Sequence, residues 1–354
     1  MPTEFGALPG WTGDDHTAAF RAFRLSAAVL PDYPPRTRAA PIDPAAMAAR
    51  LSEAAALPDD PGGDTARAFF EHAFVPHLVE PDTGNAFFTG YYEPIVAGSR
   101  RRTERFTVPL YRVPDDLVEF DPNAPPPGID PALRFARKTA DGFAPYAERA
   151  AIDAGFLAGR GLELVWLADP VDAFFIHIQG SARIALNDGE SFRVTYAAKS
   201  GHPYTPIGRV LIEMGALQPG AVTMQTIRAC LAANPAAARE VMQRNRSFIF
   251  FREAPVGDAR LGPIAAAKVP LTSGRSLAVD RLLYSFHLPV FLDTTLADGT
   301  VLQRLMIAQD TGSAIVGPAR GDIFFGSGDA AGAVAGAMQA TGRFFVLLPR
   351  SIAP

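Results

Sequence analysis

The chain has 354 residues, 48% of them hydrophobic, so it is too long for one small domain and apolar enough for a sizeable core; two domains are expected. A net charge of −4 excludes the basic excess of a nucleic-acid binder. The one cysteine, Cys230, excludes an intrachain disulfide and a cysteine-rich zinc site, and its helical surroundings read it as a small buried apolar residue.

Residues 1–80 read as mostly helical. Asp43-Pro44 has the form of an N-cap followed by proline in the first turn, with Met47, Leu51 and Leu57 near one face. Asp64 through Phe74 is a second helix, with Phe69, Phe70 and Phe74 as core. From Ala86 the pattern changes to short β-rich runs bounded by Gly, Pro and Asp: Ala86–Tyr92, Phe106–Val113, Leu162–Leu167, Ala173–Ile178 and Phe192–Tyr196. Asp121–Pro131 holds five prolines and reads as a loop; Tyr146–Ala154, closed by Gly155, reads as a helix.

Residues 206–245 return to helix. Pro206 starts one that ends near Gly215, a second runs from Val222 to Ala233, and a third follows the Asn234-Pro235 break. Strands then resume at Ser247–Arg252, Ile264–Val269, Ser276–Val279, Leu302–Ala308 and Arg343–Leu348. Blocks of helices and strands without βαβ alternation argue for a mainly β fold with added helices. No apolar run approaches the roughly 20 residues of a membrane helix, and no signal peptide is evident. That fits either a cytoplasmic protein or a trimmed mature chain.

Few tracts carry chemistry. Gly326-Ser327-Gly328 is not followed by Lys-Ser/Thr and is a turn, not a phosphate loop. The six histidines show no His-Glu-x-x-His spacing, so neither metal nor cofactor is expected. In His177-Ile178-Gln179-Gly180-Ser181, strand alternation would turn His177 and Gln179 to one face, and Gly180 would admit a close approach. In Thr89-Gly90-Tyr91-Tyr92-Glu93-Pro94 the adjacent tyrosines point to opposite faces, leaving one free to stack on a sugar. Asp280, Asp310 and Asp322 each sit where an apolar run meets a turn. A carboxylate partly buried there has a raised pKa, as a general acid requires, although aspartate also caps turns. Asp310-Thr311-Gly312 also spells an aspartic-protease signature. Such a protease needs two aspartates sharing a proton, and the other candidate, Leu292-Asp293-Thr294-Thr295, lacks the glycine.

Taken in order, Phe88–Pro94, His177–Ser181, Gly201-His202-Pro203-Tyr204, Asn245–Phe251, Ala278–Arg281, Ala308–Ile315 and Gly321–Gly326 resemble the lytic murein transglycosylase A family with its C-terminal three-aspartate domain. The resemblance implies a double-psi β-barrel built from residues 1–100 and 243–354, with the three-aspartate region at about 275–348, and a smaller β-barrel inserted at 101–242, the glycan lying in a groove between them. It implies cleavage of the β-1,4 bond between N-acetylmuramic acid and N-acetylglucosamine with 1,6-anhydromuramic acid ends. Asp310 would be the acid and base. Asp280, Asp322, Thr89, Tyr91, Gln179, Ser181, Tyr204 and Gly312 would support it or bind glycan. Peptidoglycan strands would be the partner of a monomer, with cell-wall synthesis or outer-membrane proteins as further candidates. The site of action would be the periplasm or outer membrane, the signal or anchor being absent from this chain. A noncatalytic glycan-binding module and an aspartic protease are the competing readings.

Overall fold

The computed structural model describes residues 1–81, 84–296 and 298–351; the remaining positions, all within the segments expected to form the terminal barrel, lie outside the described residues. The chain divides into two compact units, Met1–Tyr92 with Asp258–Pro354, and Glu93–Gly257.

The first unit opens with three helices, α1 (His16–Leu25), α2 (Pro44–Ala56) and α3 (Gly63–Ala73). The Asp43 carboxylate caps α2 by accepting from the Ala45 and Ala46 N–H groups, and Pro44 fills the first turn, where no N–H is needed. Strands β1 (Phe74–Val79) and β2 (Ala86–Glu93) follow. Between β2 and the return of the chain lies the second unit. The first unit then resumes with β12 (Ser276–Ala278), β13 (Pro289–Thr295), β14 (Val301–Asp310), β15 (Arg320–Ser327), α9 (Asp329–Ala337) and β16 (Gln339–Pro349). The strand order is β1-β16-β13-β14-β12-β15-β2, and β2 also pairs with β16, so six strands close on themselves. Within this ring β12 and β14 are parallel. Phe20, Phe23, Phe70 and Phe74 are fully buried and pack edge-on or tilted, joining the helices to the barrel core with Phe88, Phe291 and Phe344. Each buried phenylalanine contributes about 1.5–3 kcal/mol of transfer free energy.

The second unit holds β3 (Ile95–Ser99), β4 (Val108–Tyr111), β5 (Leu117–Glu119), β6 (Phe135–Thr139), β7 (Gly142–Ala144), α4 (Arg149–Ala151), β8 (Glu163–Leu167), α5 (Pro170–Gln179), β9 (Ser181–Leu186), β10 (Ser191–Lys199), α6 (Ile207–Glu213), α7 (Met224–Ala233), α8 (Pro235–Gln243) and β11 (Ile249–Ala254). Its main sheet runs β11-β10-β9-β3-β8-β4, and a bridge between Arg112 and Phe251 joins the two edges into a small barrel. Glu93, fully buried, binds Arg193 Nε at 2.6 Å and Arg183 Nη2 at 3.0 Å, on the sheet face opposite the core residues Ala182, Ile184, Phe192 and Val194. Cys230 lies half-buried on α7 against the α5–α8 cluster.

The mainly β architecture with added helices agrees with the expectation, but several elements differ. The run Ala173–Ile178, expected as a strand, is helix α5. Asp169 caps it through the Val171 N–H, Pro170 opens it, and Gly180 closes it at φ 80. Gly180 is therefore required by left-handed backbone, and no atom of the described residues lies within 4 Å of where its Cβ would be, so no other segment of this chain makes a close approach there. Strand alternation of His177 and Gln179 falls with the strand. The expected strand Ile264–Val269 is a turn carrying one bridge, Ile264 to Pro270, with Lys268 at φ 66. The helix at Tyr146–Ala154 shrinks to α4 and a wider turn, Ile152–Phe156. Strands β1, β3, β9, β13 and β15 have no counterpart among the expected runs. The second unit also starts and ends nearer the termini than residues 101 and 242, because β3 and β11 pair with its own strands.

Candidate active site

Two of the three aspartates flank one residue of β12. Ala278 pairs with Asp310 on β14 and with Asp322 on β15. Strands lie about 4.8 Å apart, so the two carboxylates stem from backbones separated by two strand spacings, with only a methyl group between them. Asp310 is the last residue of β14. Asp322 lies inside β15, not at its turn.

The partners of Asp310 come from two distant segments. Tyr91 of β2 donates its hydroxyl to Oδ2 at 2.9 Å. The Ala266 N–H donates to Oδ1 at 3.3 Å. The turn at 263–270 exists to deliver this group: Ala265 and Lys268 close on each other, and the next N–H, that of Ala267, bonds the Gln309 carbonyl at 3.0 Å. Burial is the main influence on Asp310 and raises its pKa to about 6; the Thr311 N–H, Tyr91 and Ala266 lower it, and the charge of Asp322 raises it. Burial, with Asp310 and Asp322 adding, pushes the Tyr91 phenol well above its usual range. Tyr91 is therefore a neutral donor.

Asp322 has its own relay. Arg320 Nη2 donates to Thr89 Oγ1 at 2.7 Å, and the Thr89 hydroxyl donates to Asp322 Oδ1 at 2.5 Å. Burial raises the Asp322 pKa, while Arg320 and Thr89 oppose that rise. Gly90 stands between the two β2 residues that reach the aspartates. A Cβ there would meet Phe325 at 2.7 Å and the Ala335 backbone at 2.8 Å, so glycine lets β2 lie against α9 with Thr89 and Tyr91 in place.

Asp280 has a different task. Its buried carboxylate accepts from the Leu282 N–H and the Gly317 N–H, both at 2.9 Å, tying its turn to the loop after Asp310. Gly312 lies exposed in that loop, its carbonyl accepting from the Ile315 N–H at 3.0 Å. Gln179, Ser181 and Tyr204 belong to the second unit. Gln179 ends α5, Ser181 begins β9, and Tyr204 is half-buried in the loop after β10, its phenol raised by burial and lowered by Arg149. So Asp310, Asp322, Tyr91 and Thr89 come together. Ala266 and Arg320 join them unforeseen. A backbone N–H leaves no trace in a sequence, whereas Arg320, two residues before Asp322, was a visible signal.

The shared-proton pair of an aspartic protease is not built. Asp293 is ion-paired with Arg343 at 2.7 Å and accepts from Gln303. Among the described residues, no hydrogen bond joins Asp310 to Asp322.

Residues 87–252 match the MltA specific insert domain and residues 275–348 the 3D domain. The structure of a membrane-bound lytic murein transglycosylase from Agrobacterium tumefaciens is 45% identical, with a TM-score of 0.91 over 99% of this chain and 97% of that one. Escherichia coli MltA with bound chitohexaose is 27% identical, with a TM-score of 0.65 over 87% of this chain and 82% of that one. Membrane-bound lytic murein transglycosylase A of E. coli strain K12 is 32% identical over 272 residues, which are 75% of this chain and 66% of that protein. The chain thus spans just under two thirds of that relative's length. Together with the closed barrel that carries the aspartates, these likenesses establish that the chain belongs to the membrane-bound lytic murein transglycosylase A family.

Proposed function

We propose that this protein cleaves the β-1,4 bond between N-acetylmuramic acid and N-acetylglucosamine in peptidoglycan, leaving 1,6-anhydromuramic acid ends, with Asp310 as the single acid and base. The observation that carries the reading is a carboxyl held by Tyr91 and Ala266 and raised by burial to about 6, close to where a general acid must titrate. Protonated Asp310 gives its proton to the departing glycosidic oxygen. The resulting carboxylate then takes the proton of the muramic acid 6-hydroxyl as that oxygen attacks the anomeric carbon. No water is consumed and Asp310 ends protonated. Ordinary glycosidases need a second carboxylate for water or for a covalent intermediate; here the nucleophile belongs to the substrate and attacks intramolecularly.

Asp322, held by Thr89 and Arg320, favours the protonated form of Asp310 by repulsion, and Asp280 holds the loop that follows it. Thr89 and Tyr91 are assigned to the carboxylates first. Gln179, Ser181, Tyr204 and Gly312 are proposed glycan contacts. The bound chitohexaose of the E. coli relative supports glycan recognition, and the six-stranded ring with its parallel β12–β14 pair is compatible with a double-psi barrel. The relatives are named as membrane-bound, which supports action at the outer membrane or in the periplasm. No helix among the described residues is long and apolar enough to cross a membrane.

The test is mass spectrometry of the products from purified sacculi. Anhydro-ended muropeptides are expected; products heavier by one water identify a hydrolase, and binding without soluble products identifies a glycan-binding module. The pH dependence gives a second prediction. Only the protonated free enzyme starts the reaction, so the rate should decline as pH rises through about 6. The Tyr91 hydroxyl stabilises the ionised carboxyl, so Tyr91→Phe should move that decline to higher pH. An unmoved or lowered midpoint would contradict the assignment.

A further inference from the structure

We propose that Gln309, the residue before Asp310, is a positioning residue that locks the catalytic carboxylate from the core side; this rests on the reading of Asp310 as acid and base. The register between β12 and β14 slips at this point. Leu277 pairs with Ala308 and Ala278 with Asp310, so Gln309 is the extra residue of a bulge, the kind of irregularity that re-aims a neighbouring side chain.

A bulge ending a strand would be loose on its own, and here the Gln309 side chain holds it. It is fully buried. Its Oε1 accepts from the Ser276 hydroxyl at 2.6 Å, and Ser276 Oγ in turn accepts from the Thr272 N–H at 2.8 Å. Its Nε2 donates to the Ala22 carbonyl at 2.8 Å and to Ser26 Oγ at 3.3 Å. The Ala22 carbonyl is available because α1 tightens at its end: the Ser26 N–H, its ordinary helical partner, bonds Phe23 and Arg24 instead. Both amide protons and the carbonyl of Gln309 are thus used. The backbone carbonyl of Gln309 accepts from the Ala267 N–H, next to the Ala266 N–H that reaches Asp310. One residue therefore fixes the strand end under Asp310 and the turn that contacts its carboxylate. A residue there that served only the core would not need a satisfied amide; an apolar side chain would fill the space at lower desolvation cost.

The groups that titrate against Asp310 are Tyr91 on β2 and Asp322 on β15, with Arg320 beside the latter. Lys268 of the 263–270 turn sits over the Tyr33 ring at 5.7 Å, and His287, whose N–H bonds the Ala308 carbonyl, is pushed by burial to about 4 and is neutral.

The experiment compares Gln309→Met with the unaltered protein. Methionine has similar length but leaves the Ala22 carbonyl without its side-chain donor and the Ser276 hydroxyl proton without its acceptor. Expected are unchanged sedimentation with insoluble peptidoglycan, a roughly ten- to hundredfold lower release rate at saturating peptidoglycan, and a shift of the basic decline to lower pH as Asp310 gains water. An unchanged rate and pH profile, with only a lower melting temperature, would overturn the proposal. If Gln309→Met does not fold, Ser276→Ala decides: it removes one donor, and the same changes are expected on a smaller scale, while wild-type rate and profile overturn the proposal. Asp310→Asn in the same assay separates the two layers. If it is active, the reading of Asp310 has failed; if it is inactive and the Gln309 variant is normal, only the positioning role has failed.

Discussion

Asp310→Asn is expected to fold, to bind peptidoglycan, and to release soluble fragments at least about ten-thousandfold more slowly than the unaltered protein. General acid–base catalysis contributes up to about that factor for a group serving one transfer, and Asp310 is proposed to serve both. Asparagine can still accept from Tyr91 or Ala266 but can neither give nor take the proton. The same variant should also be more stable, and the sign follows from linkage. An aspartate raised from 3.8 to about 6 in the folded state destabilises that state when ionised. Below the unfolded pKa both states are protonated and nothing is lost. The stability is lost as pH rises through about 6, up to about 3 kcal/mol in full. Asparagine escapes that loss, so denaturant unfolding should show Asp310→Asn more stable by about 1–3 kcal/mol at pH 8, with the gain shrinking by about half at pH 5. Equal stability at pH 8 would mean that the carboxyl is not held against its ionisation, and a fully active variant would remove Asp310 from the chemistry.

Much of this site was legible before the fold. The segments carrying Thr89, Tyr91, Asp310 and Asp322 stood out as polar tracts on apolar strands, because a strand that exposes hydrogen-bonding groups to its barrel's interior end breaks its own alternation. The Asp43-Pro44 cap was equally plain, being a local device that needs no tertiary partner. What failed depended on distance or on reading one pattern twice. Phe174, Phe175 and Ile176 form a β-like run, yet Asp169-Pro170 ahead of it and Gly180 behind it are helix punctuation that outweighs the run. In Ile264–Val269 only Ala267 and Val269 are buried while Ile264 is exposed, and the backbone of the segment is spent on Asp310 and Gln309 instead of a ladder. Asp280 resembles its two fellow aspartates in sequence, but only the 2.9 Å contacts with Leu282 and Gly317 reveal that its oxygens are occupied by backbone.

Glu93→Ala is expected to unfold the second unit more easily by about 3–5 kcal/mol, the second large effect. Glu93 ends β2, where the chain passes from one unit to the other, and no part of it is exposed. Its carboxylate receives Arg193 Nε at 2.6 Å, Arg193 Nη2 at 3.3 Å and Arg183 Nη2 at 3.0 Å, and the two arginine side chains are 6% and 12% exposed. Removing the carboxylate takes the countercharge from two largely buried guanidinium groups, and although Arg193 Nη1 keeps the Val256 carbonyl, a buried charge without its counterion costs far more than a lost hydrogen bond. Glu93→Gln keeps one accepting oxygen and should lose less. The two tryptophans make the measurement selective: Trp166 lies on β8 and Trp11 in the first unit. In a Trp11→Phe background, denaturant unfolding followed by Trp166 fluorescence should show an earlier midpoint for Glu93→Ala than for its parent. An unchanged midpoint would mean that water reaches the arginines and that Glu93 is no keystone. Replacing Glu93, Arg183 and Arg193 together by methionine should restore most of the loss, because a buried ion cluster stabilises weakly against apolar packing and destabilises strongly only when one member is removed.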